Sequence, residues 1–505
     1  MVATRIIISR GYDLLFMQRD LDELTARTFD VLVVGGGIYG LTIAYDCAQR
    51  GMSVALIERK DFGSGASFNH LRTIHGGLRY LQTLDFSRAR ESVSERRTLA
   101  RIAPAAVQPL RFVLPLTPSL MQGALAMRAG FLLDRAVSRD RNDGVAQSLQ
   151  LPGGQVVTRA EALNGFDESL RAGITGQAAT WYDYVTTDAD RLTLAWAIAA
   201  THHGASLANY VDATSLILEG GRAIGAQATD CLSGRKLEIA ARLVINATGG
   251  AVDRLLGASG LVFGVPMLKA MNLVTDREAP AAALGARGPS GRALFTVPWK
   301  GRALFGTWQS SKPCAPDDTS ISGDEVRSFI TEINQAFPSV ALTPQHVTLV
   351  HRGVVPAVLR ADGRASLEGH EQVCDHADRG VEGLITVAGT KYTTARAVAE
   401  RVTNRICAKL GQPPVPCRTA ETPLPFSNGA TDVLLTQAAR QEMVMTLEDA
   451  VVRRTPLGAL GLPGHDILEH AAAVVGDALG WDAARRGAEK DAIGRFYGRS
   501  NAWMT

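Results

Sequence analysis

The sequence predicts an α/β protein with an interleaved, β-rich α+β domain and a helical C-terminal domain. Three observations predict it: a strand, glycine turn, helix, strand and acid in succession from Phe29 to Glu58; later apolar strands that end in small residues; and five prolines between Gly411 and Thr431, beyond which a helical unit is expected.

Phe29 to Val34 is an apolar run too short for a helix, and Gly35, Gly37 and Gly40 then fill the positions of a G-x-G-x-x-G fingerprint. Gly35 lets the chain turn, Gly37 lets the backbone approach a pyrophosphate, and Gly40 lets the next helix pack on the strand. That helix runs from Ile38 to Arg50 and opens with free N–H groups and the positive end of its dipole. Ser53 to Ile57 reads as the second strand. Glu58 then stands where a carboxylate accepts hydrogen bonds from a ribose 2′-hydroxyl, which favours FAD or NAD over NADP. Together these make a Rossmann-like dinucleotide-binding unit.

A polar, glycine-containing segment follows from Asp61 to Gly77, then a charged helix from about Phe86 to Ile102 that stops at Pro104. Leu243 to Asn246 leads into Ala247-Thr248-Gly249-Gly250, and Gly383 to Ala388 leads into Gly389; strands ending this way suit a cofactor lying across them. Residues 29–110, 188–260 and 345–410 are expected to form the discontinuous dinucleotide domain. Aromatic and β-branched runs assign 111–187 and 261–344 to a substrate domain, 411–430 is a proline-rich linker, and 431–505 is the helical domain.

A chain of 505 residues exceeds one core, so two or three domains are expected, and 46% hydrophobic with 20% charged residues suits a globular protein. A net charge of +3 gives no reason to propose nucleic acid as a partner. The six cysteines form no Cys-x-x-Cys pair and the ten histidines no metal-ligand spacing, so a reducing compartment and no metal are expected. No apolar run approaches the roughly 20 residues that span a bilayer, and a cytoplasmic location follows. The first 27 residues read as a loosely ordered lead-in, with Met17 an alternative start. Leu120 to Arg139 carries Leu120, Ala124, Met127 and Phe131 at helical spacing, with Arg128, Arg135 and Arg139 on a neighbouring face. It is either an amphipathic helix packed on its own domain or one lying at a membrane surface.

The run Ile74-His75-Gly76-Gly77-Leu78-Arg79-Tyr80-Leu81 resembles the I-H-G-G-L-R-Y-L motif of the FAD-dependent, respiratory type of glycerol-3-phosphate dehydrogenase, within the D-amino-acid-oxidase-like flavoproteins. The chain is similar to that family also at Gly35 to Gly40, at Asn246 to Gly249, at Gly389-Thr-Lys391-Tyr-Thr-Thr394 and at Thr446 to Thr455, over nearly its whole length. The resemblance implies noncovalent FAD, oxidation of a secondary alcohol at C2 of a polyol phosphate, and electron delivery to a membrane quinone. Peripheral membrane association and a homodimer are expected with it.

Taking a hydride from a carbinol carbon to flavin requires orientation of the C–H bond, removal of the hydroxyl proton and compensation of a dianionic phosphate. Arg79, with a planar guanidinium, is the expected oxyanion anchor, and Tyr80 beside it adds a hydroxyl. Lys391, after a strand end and a glycine, is placed to polarise flavin or substrate. The resemblance further assigns Ile38, Arg59, Ser67, Arg72, Thr73, His75, Gly76, Gly77, Thr248, Gly249 and Gly389 to the cofactor, and gives Lys269 a ligand or structural role.

Three departures bear on the substrate. Gly353-Val354-Val355-Pro356 stands where the family has G-V-R-P, Lys269-Ala270-Met271-Asn272 where it has K-G-S-H, and Gly306-Thr307-Trp308-Gln309 where it has G-T-T-D. Val355 cannot bind an anion, and Trp308 offers a large flat apolar surface. Arg352, with His351 as a candidate base, restores the charge if it points inward. If it points outward, the pocket suits a larger or less charged alcohol stacked on Trp308. Two further alternatives stay open: the same fold acting on an unphosphorylated alcohol or an amine, and a flavin-binding protein without catalysis.

Overall fold

The computed structural model describes residues 16–500 apart from 118–122, 165, 167–172, 290, 414 and 427–428, and describes backbone only at 79, 82, 499 and 500. Phe29–Val34 lies at the centre of a parallel sheet. Val54–Ile57 and Lys236–Asn246 flank it, with Ser206–Ala208 and Leu384–Ala388 beyond them, and Gln372–Asp375 closes one edge antiparallel. These strands read as continuous apolar runs because both of their faces are covered. The helices Ile38–Gln49, Ala189–His202 and Ala395–Leu410 cover one face. On the other lies an antiparallel meander of Val211–Glu219 and Arg222–Asp230, into which the first half of Lys236–Asn246 also runs.

A second, mostly antiparallel sheet runs in the order Ala365–Leu367, Val347–Leu359, Met267–Glu278, Arg302–Gln309, Ala293–Trp299, Ala283–Arg287, Val107–Pro115, Ala178–Thr186, Thr73–Ile74. Gly323–Ala336, opened by a capping box of Ser322 and Glu325, covers one of its faces. The expected grouping of 345–410 with the dinucleotide domain is therefore corrected, since 347–367 joins this second sheet and only 372–410 the first. The reason is hydrogen bonding: Met267–Glu278 is buried over most of its length and needs a ladder on both edges, and Val347–Leu359 supplies the second.

The C-terminal region forms Thr431–Gln441, a widened helical turn at Asp449–Arg454, His465–Leu479 and Ala483–Ser500. Its apolar side packs on Val274, Leu304 and Leu349 of the second sheet. The proline-rich segment before it is tied down: the Leu424 amide donates to the Ile102 carbonyl at 2.7 Å, and Arg50 donates to the Val415 carbonyl. The charged helix runs Phe86–Ile102 as expected, and the predicted 120–139 helix spans Ala124–Val137, with Leu120 outside the described residues. Part of the expected loose lead-in is ordered, because Leu24 of the Leu21–Ala26 helix is fully buried and the Met17 amide donates to the Gln441 carbonyl.

Candidate active site

The nucleotide end is built by backbone constraints. Gly35 sits at φ +108°, and a Cβ there would stand 2.6 Å from the Ala247 carbonyl oxygen. A Cβ on Gly40 would stand 1.9 Å from the Gly35 oxygen, so strand and helix approach as closely as two backbones can. Gly37 caps the following helix without a side chain, and the Ser67 hydroxyl accepts from the Ile38 amide at 2.9 Å in its place. The Glu58 carboxylate, pushed up by burial, accepts from the amides of Gly36 at 2.7 Å and Lys60 at 2.9 Å. Arg59 is bound to Asp317 through both guanidinium nitrogens at 2.6 and 2.5 Å.

Val34 is in register with Ile57 on one side and Asn246 on the other, so these strands end in one row. Thr248 donates to the Asn246 side chain at 2.7 Å, and Gly249 at φ +60° has open space where a Cβ would be. Gly389 admits the Tyr39 hydroxyl, which donates to the Lys391 carbonyl at 2.9 Å. A row of strand ends, a helix start at a glycine and an acid after the second strand are the parts a dinucleotide needs, and here they are adjacent.

A second cluster of expected site residues gathers at the His75–Gly77 turn. Thr73 lies in the short strand Thr73–Ile74, and His75 stands 6.4 Å from Tyr80, ring centre to ring centre. The Gly76 amide donates to Asp183 at 2.7 Å, and Arg96 pairs with the same carboxylate directly beneath, where a Gly76 Cβ would collide with it. Gly77 at φ +75° lets the chain fold onto the Tyr80 ring. Lys391 reaches the same ring from another part of the chain, its Nζ 4.0 Å from the ring centre, and Arg88 lies on it at 4.3 Å. Burial pushes the Lys391 ammonium below the ordinary lysine range, and Tyr80 partly offsets this. The backbone of Arg79 lies in the Leu78–Thr83 turn; its side chain is outside the described residues.

The second sheet supplies a wall. Asn272 and His351 are cross-strand partners, as are Leu268 and Val355, so Asn272, His351, Gly353 and Val355 share one face. That face meets the segment 61–72: a Cβ on Gly353 would stand 3.1 Å from Ala66, and the His351 ring lies edge-on to Phe68. Asn272 is almost fully buried and its Oδ1 accepts from the Thr307 hydroxyl at 2.7 Å. Arg352 leaves the opposite face, where its strand partner is Met271 and the side chain is pushed down by burial. Arg352 therefore projects from the face opposite Val355. Trp308, expected as a wall of the pocket, also pairs with Met271 and packs against the cluster beneath Gly323–Ala336. There it is partly buried. Lys269 is turned to the rim, with Nζ at 3.1 Å from Asp318 and 3.2 Å from Ser320.

Arg72 is fully buried at φ +61° and is sandwiched by Phe68 and Trp299, at 5.2 and 4.8 Å from the guanidinium carbon. It faces Asp190 at 3.4 Å and His351 Nε2 at 3.3 Å. An arginine only donates, so Nε2 of His351 accepts and Nδ1 carries the proton. Burial and the adjacent guanidinium both lower the His351 pKa, and with Nε2 accepting from Arg72 its remaining ring nitrogen is left as a donor. His70, stacked on Tyr392 at 4.9 Å, accepts the Arg72 amide at 3.0 Å. Phe68, His70, Asp190, Trp299 and Tyr392 escaped the sequence reading, because no spacing connects residues that meet only through the sheet.

A family model described as FAD dependent oxidoreductase matches residues 30–405, and one described as C-terminal domain of alpha-glycerophosphate oxidase matches 383–486. The chain is 33% identical to a glycerol-3-phosphate dehydrogenase of Synechocystis over 425 residues, covering 81% of this chain and 75% of that protein. It is 32% identical to one from Mycobacterium leprae, across 75% of this chain but 63% of that protein, so the match stops short of two thirds of that relative. Among solved structures, glycerol-3-phosphate dehydrogenase from Bacillus halodurans complexed with FAD superposes with a TM-score of 0.72 at 22% identity, over 95% of this chain and 97% of that one.

Proposed function

Because the chain belongs to the FAD-dependent oxidoreductase family, we propose that it oxidises the secondary alcohol of a polyol phosphate of the glycerol 3-phosphate kind and passes the electrons to a quinone or similar acceptor. FAD is the cofactor, and when bound it accepts the hydride from the carbinol carbon. The Gly35–Gly37 turn and the first amides of Ile38–Gln49 would hold its diphosphate, Glu58 its ribose, and Thr248 with Gly249 its ribitol. The observation that carries the catalytic half is the meeting of Lys391 and Tyr80 beside the His75–Gly77 turn. A partly desolvated ammonium binds the substrate oxygen and takes part in moving its proton, while the aromatic ring holds the lysine in place. Anaerobic bleaching of the flavin by glycerol 3-phosphate, followed by reoxidation with a soluble quinone, tests the reading; a flavin that no polyol phosphate reduces refutes it.

One observation favours a second substrate reading. Val355, Gly353 and Asn272 share the wall with His351, where burial and the Arg72 guanidinium disfavour a charge, so this wall brings no fixed charge to meet a phosphate dianion. An uncharged polyol is the substrate this wall fits, and the same bleaching assay run with phosphorylated and free polyols separates the two.

The Ala124–Val137 helix supports a peripheral contact with the inner face of the cytoplasmic membrane. Leu125 is 80% and Leu132 64% exposed, Phe131 is buried, and Arg128, Arg135 and Arg139 are exposed beside them. Among the described residues no helix is long and apolar enough to cross a membrane.

A further inference from the structure

We propose that the C-terminal domain is a working part of the cofactor site: Arg453 and Arg454 act as positioning residues that pin Asp61 and, through it, the loop that holds FAD. The inference rests on the FAD reading above and assigns a role that the glycine fingerprint does not contain.

Asp61 is fully buried and receives four donors. Arg453 Nε reaches Oδ2 at 2.7 Å, Arg454 grips both oxygens at 2.5 and 2.8 Å, and Asn209 donates to Oδ1 at 3.0 Å. Two successive arginines reach one carboxylate because Asp449–Arg454 is wound wider than an α-helix, a form of turn that recurs at functional sites. Asp449 holds Arg453 from behind at 2.8 Å, and the Glu442 carbonyl accepts from Arg454 at 3.1 Å. The guanidiniums are therefore fixed before they meet Asp61.

Asp61 begins the segment that makes the cofactor site. Three residues before it is Glu58; two after it the Gly63 amide donates to the Gly36 carbonyl of the glycine turn at 2.8 Å. Ser67 then caps Ile38–Gln49, and Arg72 ends the segment against His351 of the wall. Two fully charged contacts thus hold one end of a loop whose length carries three of the site's features. A buried ion pair broken on one side leaves an uncompensated charge, so removing one arginine should loosen this loop well beyond the loss of one contact. Among the described residues neither arginine bonds to the strand ends or to the Lys391–Tyr80 pair, so the action is by positioning.

The test is the flavin release rate of the holoenzyme, measured by fluorescence at a temperature far below the melting point of each variant. Arg454→Met should release FAD at least tenfold faster than wild type, with Arg454→Lys between the two. A release rate unchanged within twofold in a folded Arg454→Met overturns the proposal. Hydrogen exchange on the wild type answers the case in which that variant does not fold: stripping FAD should raise exchange at 449–455, and unchanged exchange there also overturns it. A wild-type protein that carries no FAD at all would instead refute the flavin reading, so the two failures are distinct.

Discussion

Lys391 Nζ stands 4.0 Å above the centre of the Tyr80 ring, although the two residues are more than 300 positions apart in the chain. Burial lowers the lysine's pKa, so the rate should rise with pH through a value below the ordinary lysine pKa of about 10.4. Lys391→Met should cost roughly 10²–10⁴ in kcat and abolish that limb, with FAD content unchanged. Tyr80→Phe keeps the ring under the ammonium and should cost far less. A pH–rate profile of the three proteins checks the pair.

Val355 shares its face with Asn272 and His351 and brings no charge to it. Val355→Arg should therefore raise kcat/KM for a phosphorylated polyol by at least tenfold and lower it for the free polyol. Steady-state kinetics on both, with an artificial acceptor, gives the ratio. A ratio that stays put would show that phosphate is bound elsewhere.

Asp61 has its carboxyl held below the ordinary range, despite burial, by Arg454 and Arg453. A folded-state pKa below the unfolded one gives stability that is present above about pH 4 and is lost as pH falls through the folded value. Asp61→Asn removes this contribution. The gap in melting temperature between wild type and variant should be widest near neutral pH and should narrow between pH 4 and 2, as followed by circular dichroism.

Leu125 and Leu132 lie two helical turns apart and both face outward. Leu125→Glu with Leu132→Glu should reduce cosedimentation with vesicles containing anionic lipid by at least fivefold while leaving turnover with a soluble acceptor unchanged. Equal binding by both proteins would remove this helix from any membrane contact.

The dinucleotide unit was legible because its signals are local: Gly35, Gly37, Gly40 and Glu58 lie within one strand–helix–strand unit, and each has one steric or hydrogen-bonding reason to be there. The Phe86–Ile102 helix was legible from its charge pattern and Pro104. Strand pairing was not, because Val347–Leu359 is chosen as the neighbour of Met267–Glu278 by an open ladder some 80 residues away. The same pairing put Arg352 and Trp308 on the face opposite Val355, since a strand alternates and no sequence spacing says which face is inward. Asp61 gave no signal at all; its partners Arg453 and Arg454 lie at the far end of the chain.

The second sheet draws strands from residue 73 to residue 367. At a ribosomal pace of about 5–20 residues per second, its first members wait roughly 15–60 s for the last. During that interval the nascent polypeptide carries hydrogen-bonding edges with nothing to pair with, and apolar side chains that only the later segments cover. A message truncated anywhere before the codon for Leu359 should therefore yield insoluble material, and heat-shock chaperones should be found on translating ribosomes that carry the unfinished chain.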